Sequence, residues 1–122
     1  MTELTITFPA PCELINANHR MHWAPKAALT RTWRDTACRQ AKAQGLARVV
    51  RAHVVITISF NDNYRRDVGN LAPTAKACLD GIVDAGCLPD DNDAHVTGPD
   101  LRRGPKIAGR VPMVTVELRD AQ

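Results

Sequence analysis

The chain has 122 residues, of which 44% are hydrophobic and 24% charged, and its formal net charge is +3 at pH 7. That length suits one domain with a modest core, and the apolar content is too high for a disordered chain. No segment approaches the roughly 18 apolar residues that a membrane span requires, and the first residues lack the basic start and apolar block of a signal peptide. We therefore expect one cytoplasmic domain over residues 1–122, with no membrane as a partner.

Charge is distributed unevenly along the chain. Basic residues are concentrated between positions 31 and 51, whereas aspartates are concentrated between positions 80 and 93. A basic surface beside an acidic pocket suits a polyanion held by one part and a divalent cation held by the other. A solvated charged surface accounts for the same pattern equally well, so composition alone leaves both interpretations open.

The first third of the chain predicts a strand followed by a helix. Leu4, Ile6 and Phe8 alternate with threonines, which indicates a strand that ends at the following proline. Further along, apolar residues recur at every fourth position, which predicts a helix over 25–44 that is stopped by Gly45. The recurring residues are Leu29, Trp33, Ala37 and Ala41.

The rest of the chain predicts one more helix and three more strands. Alternation over 52–60 indicates a strand, and the apolar stripe over 72–85 indicates a helix that is stopped by Gly86. A short strand begins at 95–97, and a last strand over 111–118 is predicted to pair with it as a terminal hairpin across a basic loop. The predicted fold is therefore α/β: a single-domain mixed sheet with two packed helices in the order β-α-β-α-β-β.

Carboxylates flank the second predicted helix. Asp67 precedes it and Asp90 and Asp91 follow it, with about 20 Å between the ends of a helix of about 14 residues. Tertiary folding must therefore bring these groups together if they form one site. Clustered carboxylates favour a hard cation such as Mg²⁺ over zinc, although a solvated acidic loop has the same spacing. On the helix itself, a polar face carries Lys76, Asp80 and Asp84.

Several stretches resemble one known family. They are Arg65-Arg66-Asp67-Val68-Gly69-Asn70-Leu71, then Lys76 through Gly86 with its Leu79-Asp80-Gly81-Ile82, then Asp90-Asp91 and His95-Val96, with a looser echo at Asn16, Asn18 and His22-Trp23. The pattern resembles the RusA family of Holliday-junction resolvases, which is common in prophages and bacteriophages. The strong part of the resemblance covers about a quarter of the chain, and the predicted order of elements agrees with the mixed α/β fold of that family.

The resemblance implies a homodimer that binds a four-way DNA junction and nicks two opposed strands with Mg²⁺, or with Mn²⁺ as a substitute, and without a small-molecule cofactor. Asp67 matches the first acid of the family motif, Asn70 matches its asparagine, and Asp90 and Asp91 match its downstream pair. The catalytic residues implied are Asp67, Lys76, Asp90 and Asp91. The metal ligands expected are Asp67, Asp80, Asp90 and Asp91.

Two positions depart from the family pattern. Gly69 stands where the family has its second acid, and it offers no ligand atom. We take Asp80 as the candidate replacement, with Asp84 or Asp93 as alternatives. Lys76 lies later than the family lysine, where it either reaches a scissile phosphate or pairs with Asp80 one helical turn on. These departures leave open a catalytically weak protein that binds branched DNA, or one that only assembles with other proteins.

Basic residues supply the expected phosphate contacts, which position a duplex without reading its bases. The residues expected in this role are Arg65, Arg66, Arg102, Arg103 and Lys106, together with the arginines of the first helix. Trp23 either flanks DNA or caps that helix. His19 and His22 lack a third ligand nearby, so we do not expect them to hold a metal.

Overall fold

The computed structural model describes residues 3–18 and 23–120, so the predictions made for His19 and His22 lie outside the described residues. The elements follow the predicted order β-α-β-α-β-β, with one short 3₁₀ helix added at Val68–Leu71. The strands are β1 (Thr5–Pro9), β2 (Ala52–Ser59), β3 (Val96–Arg103) and β4 (Met113–Arg119), and the helices are α1 (Trp23–Gln44) and α2 (Ala72–Asp84). None of the described helices is long and apolar enough to cross a membrane.

The four strands form one mixed sheet in the order β1-β4-β2-β3. β4 is antiparallel to β1 and β2, and β3 is parallel to β2. The predicted terminal hairpin is therefore wrong. β4 buries Val114, Val116 and Leu118 and suits a central position, whereas β3 carries glycine, proline and charged residues that suit an edge.

The extent of one strand differs from the sequence prediction. β3 runs through residues 96–103 and is longer than the short strand predicted to begin at 95–97, so Arg102 and Arg103 belong to a strand and not to the basic loop. Its register with β2 shifts between His53 and Val55. Both helices end where glycines were predicted to stop them, and Gly45 and Gly86 have the positive φ values that such stops require.

The core lies between one face of the sheet and the two helices. Directly paired residues such as Ile56 and Val116, or Phe8 and Val114, place their side chains on this face and are almost completely buried. Because β4 is antiparallel to both β1 and β2, and β3 is parallel to β2, the strands β1, β2 and β3 all run in one direction. Their carboxyl ends therefore meet at one edge of the sheet.

The two helices pack closely against each other at Gly81. A Cβ atom added there would lie 2.3 Å from the Arg34 carbonyl oxygen and 2.7 Å from the Ala37 Cβ. Beside this contact, the Arg34 guanidinium donates two hydrogen bonds to the Asp84 carboxylate, at 2.6 and 2.8 Å. Asp84 thus faces α1 and does not share a contact with Lys76 and Asp80.

We predict that Gly81→Ala destabilises the protein by about 1–3 kcal/mol, because the added methyl group must push α1 away from α2. At an exposed position in the middle of a helix, the same change stabilises the folded protein by about 0.5–1 kcal/mol. Urea unfolding followed by circular dichroism measures the difference. Ala43→Gly, on an exposed position of α1, is the control and loses only helix propensity. A Gly81→Ala protein as stable as the unsubstituted chain would contradict the close packing.

Candidate functional site

Three loops meet at the edge where the parallel strands end. The Ala10 amide donates to the Pro112 carbonyl at 2.8 Å, which joins the end of β1 to the start of β4. The Ile107 amide donates to the Phe60 carbonyl at 2.9 Å, which joins the segments after β3 and β2. Ligands of open α/β sheets commonly bind at the carboxyl ends of strands. This edge is therefore where a site is expected.

A cleft of about 720 Å³ opens at this edge. Its polar lining includes Glu13, Asn16, Arg65, Asp67 and Asn70. Burial and then the nearby Glu13 carboxylate raise the pKa of the Cys12 thiol, which also lines the cleft, so this thiol is protonated at neutral pH and is a poor nucleophile. The cleft thus offers oxygen and guanidinium groups rather than a reactive cysteine. The remaining lining residues are Leu14, Arg66, Leu71, Val111 and Pro112.

One wall of the cleft is fixed by buried polar contacts. Thr74, which is fully buried, accepts from the Ile15 amide at 2.8 Å and donates to the Ile15 carbonyl at 3.0 Å. The buried Trp33 indole donates to the Glu13 carbonyl at 2.9 Å. These bonds satisfy backbone groups that would be costly to bury alone, so they hold the segment that follows β1 against both helices.

Asp67 is the N-cap residue of the 3₁₀ helix that borders the cleft. Its Oδ1 accepts from the Gly69 amide at 3.0 Å, in the manner of an N-cap. A Cβ atom on Gly69 would lie 3.1 Å from that same oxygen, so a side chain at position 69 would stand beside the Asp67 carboxylate. The acid that lines this cleft beside Asp67 is Glu13, which no sequence motif marks because 54 positions separate the two residues.

A second polar group lies on α2. The Lys76 ammonium donates to Asp80 Oδ1 at 2.8 Å and also to Asp91 Oδ2. Burial alone lowers the pKa of Lys76, but the hydrogen bonds to Asp80 and Asp91 outweigh it and leave the pKa raised. The loop after α2 thus turns back toward the middle of the helix.

Asp90 has a local role in that loop. One of its oxygens accepts from the Asp91 amide at 2.7 Å, and the other accepts from the Asn92 side chain at 3.3 Å. Asp93 is exposed, and Asp84 is held by Arg34 with a lowered carboxyl pKa. The structure therefore joins Asp80 and Asp91 through Lys76, and it places Asp90 beside them in the chain without a direct contact to the lysine.

The structure does not join Asp67 to this α2 group by any hydrogen bond or ion pair among residues 3–18 and 23–120. Within the same ranges, no three acidic, histidine or cysteine side chains lie close enough to hold one metal ion together. The four aspartates expected as ligands thus fall into two places: the cleft contains Asp67, and the α2 group contains Asp80 and Asp91 with Asp90 next to Asp91 in the chain. Whether they share a metal stays a prediction.

The basic residues that were predicted to contact phosphate fall into two groups, according to what their side chains contact. Arg66 pairs with Asp62 and lies 4.0 Å from the centre of the Phe60 ring, and it lowers the pKa of the Asp62 carboxyl to about 2. Arg103 lies 5.2 Å from the same ring and donates to the Tyr64 carbonyl at 2.6 Å. These two arginines hold the loop after β2.

The other three basic residues are exposed. Arg65, Arg102 and Lys106 make no side-chain hydrogen bond or ion pair within the described part of the chain. Because β2 and β3 are parallel, all three follow or end strands at the same sheet edge as the cleft. They remain available to an anionic ligand there.

No family model matches this chain, and no curated protein matches it closely.

We predict that Lys76→Met raises the carboxyl pKa of Asp91 toward the usual value of about 3.9. Hydrogen bonding to Lys76 is the main reason why the pKa of Asp91 is lowered. Because a lowered carboxyl pKa stabilises the folded state above the unfolded value, this contribution is lost as the pH falls through the lowered pKa. NMR titration of the Asp91 side chain measures the shift, with Lys26→Met as the control. An unchanged Asp91 titration would show that the pair does not form in solution.

Proposed function

We propose that this chain is a RusA-like, Mg²⁺-dependent endodeoxyribonuclease that resolves four-way junctions by paired nicks as a homodimer. The observation that carries the proposal is the sheet edge at which Asp67, in a cleft of about 720 Å³, lies among exposed basic residues from separate loops. A polyanion held by such residues would present its backbone to the carboxylate. The motif around Asp67 and the order of the elements support the same assignment.

The donors in the cleft fit magnesium. Asp67 keeps one carboxylate oxygen that no described residue hydrogen-bonds, and Glu13, Asn16 and Asn70 line the same space. Mg²⁺ is held in many enzymes by one or two carboxylates, with water and substrate phosphate completing the shell. A set of three protein carboxylates is therefore not required. When bound, the ion would polarise the scissile phosphodiester and favour attack by water.

The side chains of the protein would act around that ion. Asp67 would hold it from a position fixed by the Gly69 amide. Arg65 would bind a phosphate at the rim of the cleft, while Arg102 and Lys106 would hold the backbone further along the same edge. Lys76 would offset negative charge on Asp80 and Asp91, and its ammonium keeps a third N–H that no described residue accepts and that could bind a phosphate.

A second candidate is a catalytically weak protein that binds branched DNA. Gly69 gives it specific support, because no carboxylate stands beside Asp67 at the position where the family motif has one. The separation of Asp67 from the Lys76, Asp80 and Asp91 group favours the same interpretation. Under this alternative the basic edge retains junction binding while the metal site is degenerate.

We predict that Asp67→Asn abolishes nicking of a synthetic four-way junction in Mg²⁺ while preserving or tightening junction binding, because it removes a ligand and also a repulsive charge. If Asp90 and Asp91 act as ligands, as the resemblance implies, Asp90→Asn and Asp91→Asn have the same effect. Denaturing gels measure nicking and gel mobility shifts measure binding. Asp35→Asn, on exposed α1, is the matched control. Binding without nicks by the unsubstituted protein, over a range of Mg²⁺ and Mn²⁺ concentrations, would favour the weak binding protein.

We predict that Gly69→Asp raises the nicking rate. The backbone at Gly69 is outside the positive-φ region, and the new Cβ requires only a small shift of the Asp67 carboxylate, at 3.1 Å. The added carboxylate would restore the second acid beside Asp67 and strengthen cation binding. Gly69→Asn, which adds the same shape without the charge, separates this effect from packing. Equal nicking rates in both variants and the unsubstituted protein would show that position 69 does not hold the metal.

A further inference from the structure

The start of α1 stands clear of the core. Every residue from Trp23 to Ala28 is exposed, and the exposed fraction of Trp23 is 75%. The first one and a half turns of this helix are therefore largely exposed to solvent. An exposed tryptophan on such a turn gains little of the stabilisation that burial would give it, and its ring offers a large apolar surface to a ligand.

A basic groove runs along this projecting part of α1. It has a volume of about 560 Å³ and is lined by Trp23, Lys26, Ala27, Thr30, Arg31 and Arg34. Among residues 3–18 and 23–120, no acidic side chain lines it, and the first turn of α1 contains no acid. A positive charge at Lys26 opposes the dipole of the helix, so local helix stability does not account for this residue either.

One of the three basic side chains in the groove is paired with a carboxylate, and the other two are not. Arg34 is paired with Asp84, and the pairing raises the pKa of its guanidinium. The side chains of Lys26 and Arg31 make no hydrogen bond or ion pair within residues 3–18 and 23–120. Two charges thus remain beside the exposed indole.

We propose that this groove binds an unpaired strand of DNA, with a base stacked on Trp23 and the flanking phosphates on Lys26 and Arg31. Aromatic side chains bordered by basic residues bind single strands without sequence preference, because every base offers a stacking face. The inference rests on the proposed function only in taking DNA as the partner, and it adds a contact surface separate from the Asp67 cleft. At a branch point, this surface would hold a base that the duplex arms leave unstacked.

A second copy of the chain fits the groove less well. A two-fold interface places each surface against its own copy, so Lys26 and Arg31 would face like charges. A nucleic-acid strand supplies the complementary negative charge instead. Charge complementarity therefore favours the strand over a homodimer contact at this surface.

The two tryptophans make the proposal measurable. The chain contains two of them, and Trp33 is fully buried while Trp23 is exposed. We therefore expect that oligothymidylate, added to the full chain without divalent cations, quenches the fluorescence of the exposed Trp23. The fluorescence of the buried Trp33 should not change. Trp23→Ala should weaken binding about tenfold, whereas Trp23→Phe should retain most of the affinity because a ring remains.

Charge variants provide a second measurement. Lys26→Gln with Arg31→Gln should lower the salt dependence of binding by about 0.7 in logarithmic slope for each phosphate that the variant no longer neutralises. Arg51→Gln, an exposed arginine at the opposite edge of the sheet, is the matched control and should change little. Circular dichroism of each variant verifies that α1 stays folded.

Unchanged affinity in Trp23→Ala together with absent quenching would overturn the proposal. Dissociation of a dimer in Trp23→Ala with unchanged DNA affinity would also overturn it, and would assign the groove to a second copy. Quenching and weakened binding without nicks in Mg²⁺ would support the groove and count against the nuclease. Normal nicking without quenching would support the nuclease and count against the groove.

Discussion

The insertion of β4 between β1 and β2 is the constraint on which the candidate site depends. Antiparallel pairing of β4 with both neighbours fixes β1 and β2 in the same direction, and β3 then adds to β2 in that direction too. Three strands consequently end at one edge. The loops that carry Glu13, Asp67 and Lys106 meet there because of this pairing, although they lie far apart in the sequence.

Buried polar contacts convert this edge into a defined cleft. The segment after β1 has no regular structure of its own, yet Thr74 and Trp33 satisfy its backbone groups from α2 and α1. The helices can supply both contacts because Gly81 lets them pack closely. Core packing and the shape of the cleft are therefore linked, since a change that separates α1 from α2 would also move the wall that carries Glu13.

The aspartate carboxylates around α2 lie in two different electrostatic environments. Asp80 and Asp91 share one lysine ammonium, which offsets their mutual repulsion without a metal. Asp67 instead receives a single amide from Gly69 and lies near Arg65. A cation would therefore compete with Lys76 at the first place, whereas the Asp67 cleft contains no lysine in its lining. This difference makes the cleft the better position for magnesium under the proposed function.

The sequence by itself determined the order of the elements, because the periods of two and of about four residues, and the stops at Gly45 and Gly86, are local properties. It also marked Asp67, Lys76, Asp80 and Asp91 as neighbours of α2. Strand pairing was decided only by the tertiary structure, since local alternation makes β3 and β4 look like a hairpin and contains nothing about β1. The same holds for Glu13 in the Asp67 cleft and for Lys76 between two carboxylates, because such contacts arise from packing between distant segments.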